Sequence, residues 1–152
     1  MIITKVKPLL LILICLITFT GCSKELEIKE NKFTLDDVLT VLESQKLDLV
    51  SYGITGYPLK LQDVIPDAYS VEMPQIEEQN DPEFIHFYIF NSEKDRIKGA
   101  KEFNKQMESA DSTPFPILYE KENVLIVYWS KTKENPLLNG KIETAIEQLK
   151  IQ

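Results

Sequence analysis

The stretch 83–90, EFIHFYIF, constrains the fold more than any other part of the 152-residue chain. In an extended backbone successive side chains point to opposite faces, which puts Ile85 and Phe87 on one side and Phe84, His86, Tyr88 and Phe90 on the other. Both faces are largely apolar, the pattern of a central strand covered on both sides. The segments around it supply candidates for the cover. Thr34 is a good N-cap for a helix over 34–45, with Asp36 and Asp37 in the first turn, where the helix dipole favours anions, and Leu35, Val38, Leu39 and Leu42 in one stripe. Ser92, with Asp95 three residues on, caps a second helix that presents Ile97, Ala100, Phe103 and Met107 inward. Asn135 followed by Pro136 opens a third, because Asn caps well and Pro is favoured at the first helical position. Leu138, Ile142, Ala145, Ile146 and Leu149 give that helix a wide apolar face.

Residues 47–54 read as a strand bounded by Gly53 and Gly56. Residues 117–119 and 124–129 read as a hairpin around the polar turn 120–123, after a break at 111–116. The stretch 55–82 is the least regular, carrying Pro58, Pro66, Pro74 and Pro82, with short extended pieces near 59–64 and 69–73. Strands and helices do not alternate strictly, so the expected fold is α+β: a mostly antiparallel sheet of about four strands with three helices packed on it. The chain is 43% hydrophobic, and a domain over 32–152, around 120 residues, can bury a core without disulfides or metal. No repeat of solenoid length is present.

The first 22 residues, MIITKVKPLLLILICLITFTGC, follow a different logic. Lys5 and Lys7 precede an uncharged run, 8–20, that spans about 20 Å as a helix against roughly 30 Å of bilayer hydrocarbon. That is short for a permanent span and suits the hydrophobic region of a secretory signal. Phe19, Thr20 and Gly21 then lead into Cys22. This resembles the lipobox of bacterial lipoproteins, with Phe19 where the family usually carries Leu. The resemblance covers residues 1–22 only. It implies a signal peptide over 1–21, a diacylglycerol thioether on Cys22 and cleavage just before that residue. The alternative is a non-cleaved signal anchor with an incidental cysteine. The cysteine arithmetic agrees with lipidation: Cys15 leaves with the signal, and the remaining Cys22 would otherwise be a lone exported thiol. Two acyl chains anchor stably where one binds only reversibly.

Processing removes two lysines and no acids, leaving 15 basic against 24 acidic side chains, a charge of −9. Anionic lipids repel such a domain, so lipid rather than charge must hold it at the surface. The same acidity argues against nucleic-acid binding, which needs a basic face. Residues 22–31, from Cys22 through the charged run SKELEIKEN, form a tether. From Cys22 to Phe33 the chain reaches up to about 36 Å when extended.

Chemistry-bearing residues are sparse. The chain has one histidine, His86. It reads either as a buried or rim histidine donating one hydrogen bond, or as a base or ligand in an aromatic pocket. Glu72, Glu77, Glu78, Asp81 and Glu83 crowd one acidic loop, read as solvated because it lacks the spacing of a calcium-binding loop. No serine sits in a Gly-x-Ser-x-Gly context and no glycine-rich phosphate loop occurs. The sequence therefore calls for no catalytic residue, cofactor or metal. Tyr128 and Trp129 alternate at a strand end, so one of them is available for recognition. The expectation is a lipid-anchored, non-enzymatic interaction or accessory domain on the extracytoplasmic side of the cell membrane, binding an envelope protein or a small ligand. A small-ligand-binding or wall-acting enzymatic lipoprotein is the rival reading.

Overall fold

A computed structural model of the chain describes residues 32–53, 59–72, 83–110 and 113–150. Cys22 and the tether lie outside them, as do Glu77, Glu78 and Asp81. The described residues form an α+β fold in the order α1 (Leu35–Ser44), β1 (Asp48–Ser51), β2 (Asp67–Glu72), β3 (Phe84–Ile89), α2 (Glu93–Met107), β4 (Phe115–Lys121), β5 (Val124–Ser130) and α3 (Asn139–Gln148). The sheet has five strands in the spatial order β1-β2-β3-β5-β4, every neighbouring pair antiparallel. β5 therefore sits between β3 and β4, which run in the same direction and are joined through α2.

The expected central strand is central. β3 pairs with β2 on one side and with β5 on the other. Ile85 and Phe87 face a cluster built with Val38 and Leu42 of α1 and Ile142, Ala145 and Ile146 of α3. Tyr88 and Phe90 face a second cluster with Ala100 and Phe103 of α2 and with Leu61. β5 alternates in the same way, with Val124, Ile126 and Tyr128 in the first cluster and Leu125 and Val127 in the second. Ile85, Phe87, Leu125 and Ile126 are fully buried, and each such side chain gains about 1.5–3 kcal/mol over exposure.

Two of the three helix starts follow the expected caps. Thr34 Oγ1 accepts from Asp37 N–H at 3.2 Å while the Asp37 carboxylate accepts from Thr34 N–H at 2.7 Å, a reciprocal capping box. Phe33 and Val38, the staple positions around that cap, are both buried in the first cluster. Ser92 Oγ accepts from Asp95 N–H at 3.1 Å. The third start differs from the expectation. Asn135 has φ +52, a left-handed turn conformation rather than the extended one a cap requires. Helix α3 begins at Asn139, after Leu138, which has no side-chain cap. Burial of Leu138 at 4% exposure, with Tyr119 Oη donating to Asn139 Oδ1 at 2.6 Å, sets the start instead of the Asn-Pro signal.

Other boundaries move as well. β1 is shorter than 47–54. The extended piece near 69–73 is a full strand, β2, which raises the count to five. The piece near 59–64 is a tight turn, with Gln62 and Asp63 at positive φ and reciprocal Leu61–Val64 backbone bonds of 3.0 and 2.8 Å. The turn is strapped to α2 by Gln62 N and Nε2, which donate to Glu102 Oε2 at 3.1 and 2.8 Å. Ile97 is not part of the inward face of α2 and is 39% exposed. Arg96 takes the inward place, donating from Nε to Glu122 O at 2.9 Å, from Nη2 to Glu93 at 3.1 Å and from Nη1 to the Glu120 carboxylate. A guanidinium is sheltered here because its donors fan out to three acceptors at once.

Candidate functional site

Strand pairing lines up one complete row of side chains across the sheet on the α2 side. Val50 is opposite Ser70, Ser70 opposite Phe84, Phe84 opposite Trp129, and Trp129 opposite Pro116. The neighbouring row carries Ala68, His86, Val127 and Leu118. α2 covers Val127 and Leu118, and its Phe103 ring lies 6.0 Å from that of Trp129. Away from the helix the surface stays partly open: Val50 is 42% and Tyr52 50% exposed, and Phe84, His86 and Trp129 are half-buried.

The rings are held in two edge-to-face pairs. Tyr52 meets Phe84 at 5.3 Å and 76°, and His86 meets Trp129 at 5.8 Å and 68°. Such pairs prefer this geometry because the positive ring edge meets the negative face. Trp129 Nε1 donates to His86 Nδ1 at 3.1 Å. An indole N–H can only donate, so Nδ1 must carry a lone pair, and the neutral imidazole keeps its proton on Nε2. Burial holds the His86 pKa below the usual histidine value. His86 is thus a rim histidine, but in its one identified bond it accepts rather than donates as expected, because the indole N–H facing it can only donate. Its partner lies 43 residues away in sequence, beyond what the local pattern could show.

Of Tyr128 and Trp129, Trp129 is the accessible one. Tyr128 is fully buried on the opposite face. There its hydroxyl donates to Glu83 Oε2, and Lys131 N–H donates to Glu83 Oε1 at 2.9 Å. Burial, and the bond to Glu83, hold the Tyr128 phenol well above its usual range. This corrects the reading of Glu83 as part of a solvated acidic loop: it is 5% exposed. Residues 83, 85 and 87 share one face of an extended chain, so the alternation that buries Ile85 and Phe87 carries Glu83 inward with them. A buried carboxylate needs donors, and Tyr128 and the Lys131 amide supply them. The pair closes the end of the core rather than forming an open site.

Among the described residues no three of His, Cys, Asp and Glu converge to hold a metal ion, and no helix is long and apolar enough to cross a membrane. The chain matches no protein-family model, no curated protein and no solved structure.

Proposed function

We propose that this chain is a lipid-anchored accessory domain of the cell envelope, tethered through Cys22 on the extracytoplasmic side and binding an envelope protein without catalysing a reaction. The half-open surface made by Val50, Phe84 and Trp129 of that row, with Tyr52 edge-on to Phe84, carries the reading. Large rigid aromatics bury much area at low entropic cost and dominate interface hot spots. The lipobox-like N-terminus supports the anchor. The acidic balance supports it from the other direction, since a domain repelled by anionic surfaces needs a covalent tether to stay near them.

The test is crosslinking on intact cells from a photoreactive residue placed at Val50. The expected result is one recurrent envelope protein whose capture falls at least tenfold with Tyr52→Ala. Equal capture by that variant would remove the aromatic row from the account. An anchored bait that captures no protein would move the reading to a small ligand or wall material.

A further inference from the structure

We infer that His86 is a proton-operated latch on Trp129, which holds the indole in place when the imidazole is neutral and releases it on acidification. The geometry requires this coupling. In the observed bond Trp129 Nε1 donates across 3.1 Å to Nδ1, and Trp has no alternative role because its nitrogen never accepts. An imidazolium carries N–H on both nitrogens. Protonation therefore sets two donors against each other at hydrogen-bond distance, and one ring has to turn away. Whichever ring turns, the indole loses its acceptor, and Trp129 keeps only its tilted contact with Phe103 and its packing on the α2-side cluster. His86 is fixed in mid-strand between Ala68 and Val127.

The surroundings leave the imidazole to respond to bulk pH. β2 and β5 present Ala68 and Val127 beside it, and α2 approaches through Phe103. Glu83 points to the opposite face and is held by Tyr128 and the Lys131 amide. Glu102 is turned to Gln62, and Lys60 is paired with Asp63 at the solvent-exposed turn. Tyr88 is engaged with Leu59 O at 2.7 Å, and its phenol stays protonated because burial raises its pKa. Burial lowers the pKa of His86, and among the described residues its one identified hydrogen-bond partner is Trp129 rather than a carboxylate. Trp129 lies in the half-open aromatic row, so the latch changes the shape of that surface. The coupling itself does not depend on what the surface binds.

The chain carries one tryptophan and one histidine, so each reports without ambiguity. The experiment is a titration of the full chain in detergent micelles, following Trp129 fluorescence, the indole N–H resonance, the imidazole resonances and far-ultraviolet circular dichroism. The expected result is a reversible step below pH 6.5, the ordinary histidine value. Emission red-shifts and the indole resonance moves with the same midpoint as the imidazole, while the circular dichroism is unchanged. His86→Gln should abolish the step. If that variant does not fold, the common midpoint in the wild-type chain decides. Indole signals that stay constant until the backbone unfolds, that follow a midpoint different from the imidazole, or that titrate equally in His86→Gln would overturn the latch.

Discussion

Asn123 grips Phe33 across ninety residues of sequence by both backbone groups. Its Oδ1 accepts from Phe33 N–H at 2.8 Å and its Nδ2 donates to Phe33 O at 2.9 Å. The same Nδ2 donates to Phe90 O at 3.0 Å. One side chain at the β4–β5 turn, itself 2% exposed, thus joins the segment leading into α1, the end of β3 and the hairpin, and Phe33 and Phe90 are buried with it. Asn123→Ala leaves these buried backbone groups without their partner and should cost about 3 kcal/mol. Asn123→Asp keeps one acceptor but turns the donor into a second acceptor facing two carbonyls, and should cost at least as much at neutral pH. Urea denaturation of both variants checks this; a loss under about 1 kcal/mol, the net worth of a single bond, would contradict it.

Gly99 presses on Phe90. A Cβ at Gly99 would lie 2.4 Å from Phe90 Cζ, and that ring is buried at 2% exposure. Alanine gains about 1 kcal/mol of helix propensity over glycine, whereas forcing extra volume into a packed core costs about 1–3 kcal/mol. The contact is too close for a small adjustment, so Gly99→Ala should be destabilising despite its propensity gain. A raised melting temperature would show that the ring yields freely.

Tyr128→Phe should separate the hydroxyl of the Glu83 site from its packing. The ring remains, but Glu83 Oε2 loses its donor, and leaving a buried acceptor unpaired costs about 2 kcal/mol. The Tyr128→Phe/Glu83→Gln double variant should recover part of that loss, because a neutral amide tolerates the missing donor better than a carboxylate. Additive losses would mean that the two groups are not coupled.

The pH dependence of stability has two windows with the same sign. The folded-state pKa of His86 is lowered from 6.5 by burial. The unfolded chain then binds more protons as pH falls below that value, and stability declines down to the folded pKa. Asp37 and Asp95 have pKa values lowered from 3.8 by their hydrogen bonds, Asp37 to Thr34 and Asp95 to Lys98 and Ser92. Their contribution is complete above that value and is lost as pH falls through the folded values. Denaturation midpoints across pH 3–8 should fall in both windows, and His86→Gln should flatten only the upper one.

The helix caps at Thr34 and Ser92 and the two-faced strand were legible because their signals are local: three residues for a cap, alternation for a strand. β2 was half-legible. Between Pro66 and Pro74 its sequence, DAYSVE, has little apolar contrast, and its strand character comes from pairing with β1 and β3. The start of α3 was misread because Asn135-Pro136 fits a helix opening equally as well as the turn it forms. The inward position of Arg96 was not visible either, since its acceptors at Glu120 and Glu122 belong to a hairpin more than twenty residues on. The aromatic row was legible only in part. Alternation puts Trp129 and Tyr128 on opposite faces, but which face stays open depends on where α2 lies.

The most direct test of the account is the intact mass of the protein extracted from membranes of a producing cell. The account predicts a chain beginning at Cys22, the 131 residues left when 21 of the 152 are removed, carrying a diacylglycerol adduct that disappears in Cys22→Ala. A full-length, unmodified chain in the membrane fraction would contradict it.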